Sequence, residues 1–246
     1  MRENYTLSRL YLEADLSGGA ELTLSKEQAH YLGTVLRKSA GDALRIFNGR
    51  DGEWKAELIE VSKRAASLRV GEQLRPPQKC PDITLAFAPV RKHRTAFIVE
   101  KATELGAARL QPLQTARTQF PRFNIDKARL QAIEAAEQTE RLDIPEILPM
   151  LRGGLNDYIG GWNFAGPLIF ADESGDCPPA AQVLKDLKGP ATLLIGPEGG
   201  FTDEERALLR AQDFVRPVSL GPRILRADTA ALSLLTLWQA LCGDWA

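Results

Sequence analysis

The residues of this chain whose types and spacing could do chemistry are gathered in two glycine breaks. Leu193 to Arg206 reads LLIGPEGGFTDEER, an apolar run that opens into Gly-Pro-Glu-Gly-Gly and restarts as an acidic helix. Val218 to Leu235 reads VSLGPRILRADTAALSLL, a second break of the same kind. Glycines at such points permit positive φ and let a ligand approach the backbone closely. A tight strand-to-helix turn is the plainer reading of the first, with Thr202 and Glu205 spaced as a capping box. A phosphate cradle fits poorly, because neither GxxxxGK[ST] nor GxGxxG is present. The helix behind the turn also opens with Asp203, Glu204 and Glu205, which complement the helix dipole themselves and would repel a phosphate. The loop suits a ligand that is neutral or cationic near it and is held by backbone groups.

Other chemistries are short of residues. There is no GxSxG nucleophile elbow. The two histidines, His30 and His93, and the three cysteines, Cys80, Cys177 and Cys242, lie far apart. They make no HExxH, no Cys/His ligand spacing and no disulfide framework, so no protein-built metal site is expected and the thiols read as unpaired in a reducing compartment. Group transfer from a carrier, by binding and orientation, fits better than hydrolysis.

The elements that must position these breaks change character along the chain. Residues 1–72 read as short strands, with alternating runs at Ala43 to Phe47, Glu53 to Val61 and Ala65 to Val70 separated by NGRDG and SKR, strong hairpin signals. Before them, a short helix is expected to start at a Ser25 cap and end near Gly41. A small β-barrel with one helix is the economical solution. Residues 73–81 hold three prolines, Pro76, Pro77 and Pro81, and read as a linker. From residue 82 to 246 strand and helix patterns alternate, which implies an α/β fold with a parallel sheet covered on both faces. In such a sheet ligands sit outside the carboxyl ends of the strands.

The bulk composition sets outer limits. The 246 residues are 44% hydrophobic and 26% charged with a net charge of −1, an ordinary globular balance. No apolar run approaches the ~18 residues of a membrane span. The stretch MRENYTLSRLYLEADL lacks an apolar signal core, so a cytoplasmic protein is expected. Near-neutral charge argues against a generally sticky nucleic-acid coat but leaves room for a local basic face. The densest cluster is Arg91 to Arg94, RKHR, which taken alone reads as a solvated patch.

With these residues in view the chain resembles one family. LLIGPEGGFTDEE followed by SLGPRILRADTAAL is similar to the two cofactor loops of the SPOUT, or trefoil-knotted, methyltransferases, and more narrowly of the RsmE family of ribosomal RNA small subunit methyltransferases. VEKATELGAARLQPL, AIEAAEQTERLDIPEI, HYLGTVLRKSAGD and FNGRDGEW match in the same order across nearly the whole chain. The resemblance implies a PUA-like RNA-binding β-barrel over 1–72 and a SPOUT α/β domain over 82–246, knotted at about 190–246. It implies a homodimer that uses S-adenosylmethionine (AdoMet) to methylate uridine N3 in 16S rRNA within the small ribosomal subunit, at the position usually called U1498. No metal and no membrane enter that activity.

Carried over residue by residue, the resemblance places AdoMet against Ile195, Gly196, Pro197, Glu198, Gly199 and Gly200 of the first loop, with Glu198 shaping the loop. From the second it takes Leu220, Gly221, Ile224, Leu225 and Arg226, with Thr229 and Ala230 of the following helix. Uridine N3 becomes nucleophilic once its proton is lost, so catalysis needs a base or a cation stabilising the developing anion at N3 and O4. Arg226, then Arg223, are the candidates for the cation. Arg9, Arg37, Lys38, Arg91, Lys92 and Arg94 are the expected RNA contacts, and Glu137, Gln138 and Arg141 are expected to border the substrate groove or a dimer contact. Family members commonly have glutamate where this chain has Asp228, and capping of the last helix is the favoured role for it. Two other readings stay open: an RNA-binding or ribosome-assembly protein without methyl transfer, and a methyltransferase acting on tRNA.

Overall fold

The computed structural model describes residues 4–246; residues 1–3 of the expected first domain lie outside the described residues. The chain divides into two compact units. One runs to Lys79 and also takes in Ala136–Asp143; the other comprises Cys80–Ala135 and Ile144–Ala246.

In the first unit, β1 (Arg9–Tyr11) and β2 (Glu21–Thr23) precede α1 (Lys26–His30), which is followed by β3 (Ala43–Phe47), β4 (Glu53–Val61) and β5 (Ala66–Arg75). They form a five-stranded sheet of order β1-β3-β4-β5-β2, antiparallel except that β1 runs parallel to β3. Ser25 caps α1 in a reciprocal box with Gln28. The expected helix does not continue to Gly41. It loosens into a π-turn over Tyr31–Val35, where Gly33, a poor helix former, approaches Val61 so closely that a Cβ would lie 3.1 Å from its Cγ1. β5 runs on to Arg75, so the first residues assigned to the linker are strand, and Pro76 cannot continue the ladder.

A buried ion cluster sits in this unit. Glu53, 1% exposed, accepts from Arg9 Nε at 2.7 Å and Arg75 Nε at 2.8 Å, with Arg45 Nη1 at 3.6 Å. Arg9 also donates to the carbonyls of Ala136 and Arg141, and Arg45 holds Glu140 through both carboxylate oxygens. The Tyr11 amide donates to Glu137. Residues 136–141 are thus fastened by charge-assisted bonds, the strong kind.

In the second unit β6 (Ile83–Phe87), α2 (Lys92–Glu104), β7 (Arg109–Pro112), α3 (Ile125–Gln138), β8 (Glu146–Ile147) and α4 (Gly154–Gly160) are followed by β9 (Leu168–Ala171), α5 (Ala180–Leu184), β10 (Ala191–Ile195), α6 (Asp203–Arg210), β11 (Val215–Val218) and α7 (Ala227–Leu241). The last turn of α3 is counted with the first unit. The six strands lie in the order β11-β9-β10-β6-β7-β8, and every pairing is parallel. Side chains alternate between two cores. Leu85, Phe87, Leu193 and Ile195 meet α2, α5 and α7, whereas Ala86, Leu194 and Phe170 meet α4 and α6. Burial on both faces explains the continuous apolar runs in these strands.

Candidate functional site

β9, β10 and β11 are neighbours that end in register, with Val218 opposite Ala171 and Leu194 opposite Phe170. Their carboxyl ends open into a cleft with about 740 Å³ of free space, part of it open to solvent. The first glycine break gives it Ile195, Gly196, Pro197 and Gly200; the second gives Leu220, Gly221, Arg223, Ile224 and Leu225; α7 gives Ala227 and Ala230. The location follows from topology, since a ligand crevice forms where loops of adjacent parallel strands part.

Each loop is fixed from behind. Thr202 caps α6 in a full box with Glu205, and the other oxygen of Glu205 accepts from the Ala116 amide at 2.8 Å. Arg117 donates to the carbonyls of Gly199 and Phe201. Gly200 has φ +65°, and a Cβ there would fall 2.0 Å from Glu173 Oε1. In the second loop the Gly221 amide is taken by Ser219 Oγ. Among the described residues the amides of Leu220, Ile224 and Leu225 have no internal partner, so this loop offers backbone donors to a ligand.

The turn that follows β9 adds acids that the glycine breaks do not advertise. Asp172 and Glu173 line the cleft, and the Asp172 side chain has no solvent exposure. Arg206 Nε lies 3.2 Å and Arg210 Nη2 2.8 Å from its oxygens, and Glu173 is bound by Arg206 Nη2 at 2.6 Å. Burial alone would raise the Asp172 pKa, but the bonds from Arg210 and the Ser174 amide hold it below the ordinary carboxylate value. It is therefore a poor general base. Asp172, Asp176 and Cys177 could converge on a cation, but Arg210 fills that place, with Nη2 2.5 Å from Asp176 and 3.2 Å from the Cys177 sulfur.

The expected residues divide as follows. Glu198 and Gly199 lie on the outside of the first loop, and Thr229 is exposed on α7; none of the three is on the cleft wall. Arg226 is the N-cap residue of α7, its side chain exposed and making no capping bond. Asp228 is not the cap. It stands in the first turn, accepts from the Thr229 amide and lies 3.9 Å from Arg94 Nε. Arg37, Arg91 and Lys92 are exposed, while Lys38 and Arg94 are half-buried. Arg9 corrects the expectation of an RNA contact, because it is buried and its guanidinium is consumed by Glu53 and backbone carbonyls. Glu137 and Arg141 are likewise held within the first unit, by Tyr11 and Asp143. Ala171, Asp172, Glu173, Gly175, Ser219 and Pro222 complete the cleft. The only sequence signal for the β9 acids is the strand-like PLIFADE, and nothing local to it says that β9 lies between β10 and β11.

The cleft can be tested for what it would hold. It has apolar walls, free backbone amides and two carboxylates, and among the described residues Arg223 is its one cationic side chain. That set accepts an adenine and a cationic centre and disfavours a triphosphate, so AdoMet fits. Gly221, with φ +108°, has nothing within 4 Å of where a Cβ would stand. Gly221→Ala is therefore expected to leave the fold intact but strain the loop by ~1–2 kcal/mol, weakening AdoMet about tenfold in calorimetry. Unchanged affinity would show that the loop does not need this conformation.

Comparison with known proteins agrees with the geometry. Residues 76–239 match the RNA methyltransferase domain model, and residues 24–71 match the RNA methyltransferase PUA domain. Among curated relatives, ribosomal RNA small subunit methyltransferase E of Rickettsia conorii is 34% identical over 93% of each chain. That of Synechocystis is 37% identical over 90% of this chain and 74% of its own. Among solved structures, a Legionella pneumophila methyltransferase with bound cofactor SAM superposes with a TM-score of 0.87 at 32% identity, covering 97% of this chain and 99% of the other. Ribosomal RNA small subunit methyltransferase E of Neisseria gonorrhoeae bound to S-adenosyl methionine gives 0.87 at 25% identity, over 98% and 100%.

Proposed function

The chain belongs to the ribosomal RNA small subunit methyltransferase E family, and on that premise we propose that it transfers a methyl group from AdoMet to N3 of one uridine in 16S rRNA, the U1498-type site. The observation that carries this reading is the cleft at the carboxyl ends of β9, β10 and β11, built from both glycine breaks and lined with carboxylates rather than lysines. AdoMet bound there supplies an electrophilic methyl group on a sulfonium.

The chain's own residues supply the rest. Ile195, Leu220 and Leu225 wall the adenine, and amides of the second loop fix its edge. Arg226, exposed at the N-cap of α7 and uncommitted to capping, stabilises the anion developing at uridine N3 and O4, with Arg223 on the cleft wall as its neighbour. Asp172 and Glu173, bound by Arg206 and Arg210, set the loop and leave the N3 proton to solvent. Arg37, Lys38, Arg91 and Lys92 contact phosphates.

The wider architecture belongs to the same proposal. The first unit acts as a PUA-like barrel for RNA. After β11, at the edge of the sheet, α7 packs on β10, β6 and α2 near its middle, a return of the chain that supports the proposed knot over about 190–246. Ile224, 85% exposed, and Phe97, 39% exposed, provide apolar surface for a homodimer. No helix among the described residues is long and apolar enough to cross a membrane, and the proposed place of action is the cytoplasm, on the small subunit.

The test is to incubate the protein with radiolabelled AdoMet and either small subunits or bulk tRNA. Label in 16S rRNA alone is expected. Label in tRNA would move the target, and AdoMet binding without transfer to either would leave an RNA-binding protein.

A further inference from the structure

A second cleft of the C-terminal unit, distinct from the first, opens between the start of α2, residues 119–124 and the first half of α3, with about 1370 Å³ of free space including its open mouth. Its floor is apolar and aromatic: Val90, Val99 and Ala128 with Phe120 and Phe123. Phe123 is held edge-on against Phe87, with centroids 6.0 Å apart. Around the floor stand Lys92, Arg122 and Lys127, all exposed. None of the three has an ion pair or a side-chain hydrogen bond among the described residues, whereas most other arginines of this unit are committed to carboxylates or carbonyls.

The polar groups inside are of two kinds. Thr95 Oγ1 is spent on Val90, accepting from its amide and donating to its carbonyl, each at 3.0 Å. Asn124 Oδ1 caps α3 through the Lys127 amide at 2.8 Å. The amides of Gln119 and Gln131 remain available, each able to donate and to accept. An aromatic floor, two free carboxamides and three unpaired cations at the rim are the parts needed to hold a base, its edge and its phosphates. An apolar peptide would not call for the cations, and a phosphate alone would not call for the floor.

Position ties this cleft to the first. Arg94, in the same turn of α2 as Lys92 and Thr95, lies 3.9 Å from Asp228 in the first turn of α7. Ala227 and Ala230 of that turn wall the cofactor cleft. Both clefts therefore open on the carboxyl edge of one sheet, with the starts of α2 and α7 between them.

We propose that this second cleft is a subsite for one nucleotide of single-stranded RNA beside the methylated uridine, its base lying on Phe120 and Phe123 and its phosphates at Lys92, Arg122 and Lys127. This rests on the reading of RNA as the substrate. The side chains here are positioning and specificity residues, since none touches the reacting atoms.

The test uses the full-length protein with Phe120→Ala and with the double variant Lys92→Ala, Lys127→Ala. AdoMet affinity and melting temperature serve as controls for folding. Phe120→Ala is expected to raise KM for the RNA substrate about tenfold, the loss of one stacked base, while kcat stays within twofold. The double variant is expected to shallow the salt dependence of RNA binding by about 1.4 in log–log slope, ~0.7 for each phosphate contact. A 4-thiouridine oligonucleotide is expected to cross-link to the peptide containing Phe120 and Phe123. If small subunits are methylated while KM, salt slope and cross-link are all indifferent to this cleft, the subsite is overturned and the activity stands. If no RNA is methylated, the activity fails, and the cross-link alone then decides: its presence upholds the subsite and its absence sinks it.

Discussion

Replacement of Arg226 by alanine is expected to lower kcat for rRNA methylation by two to three orders of magnitude while AdoMet affinity changes less than threefold. The size follows from the chemistry. Attack by N3 requires negative charge on the uracil, and loss of one preorganised donor aimed at such charge costs about 10²–10³ in rate. The split between rate and affinity follows from place, because Arg226 is outside the cofactor wall while Arg223 is on it. Arg223→Ala should therefore weaken AdoMet binding as well as turnover. Arg226→Lys keeps the charge without the fork and should recover part of the rate. A rise in KM at constant kcat for Arg226→Ala would make it a phosphate contact and move the catalytic role to Arg223.

The second large effect lies far from the chemistry. Glu53→Ala should destabilise the first unit by about 3–5 kcal/mol, because it leaves Arg9 buried, charged and without its carboxylate. Burial by itself would push the Glu53 pKa up, but bonds from Arg75 and Arg9 outweigh it and hold the pKa below the ordinary value. A carboxylate whose folded pKa is depressed contributes its stability above the unfolded pKa, near 4.3, and loses it as pH falls through the folded value. Wild-type protein should thus lose stability as pH drops below about 4, and Glu53→Ala should have lost that part of the acid dependence. Thermal melts across pH read both. A melting point within a degree or two of wild type would mean that the arginines find other partners.

The sequence made some of this legible and hid the rest for physical reasons. β3 and β4 are readable to the residue because alternation and the Asn-Gly and Asp-Gly turns agree. The parallel sheet is readable because its strands are buried on both faces and so carry unbroken apolar runs. β1 and β2, three residues each, carry too short a period to register, and α4 lies in a glycine-flanked stretch. Arg9 reads as a surface cation because arginine is rarely buried; its partner Glu53 is 44 positions away, and no local pattern links them. The glycine breaks announce a ligand loop, but the acids just after β9 join the same cleft only through strand order. The second cleft is hidden for the same reason. Phe120, Arg122 and Phe123 look like an ordinary loop until β6, α2 and α3 bring Lys92 and Lys127 beside them.

The central claim is the identity of the methylated atom. The direct measurement is to treat small subunits that lack N3-methyluridine with the protein and AdoMet, digest the 16S rRNA and identify the new nucleoside by mass spectrometry. The proposed chemistry predicts N3-methyluridine at a single site, formed at a rate that collapses in Arg226→Ala. A methyl group on a ribose, on another base, or on no nucleoside of 16S rRNA despite measurable AdoMet binding would contradict it.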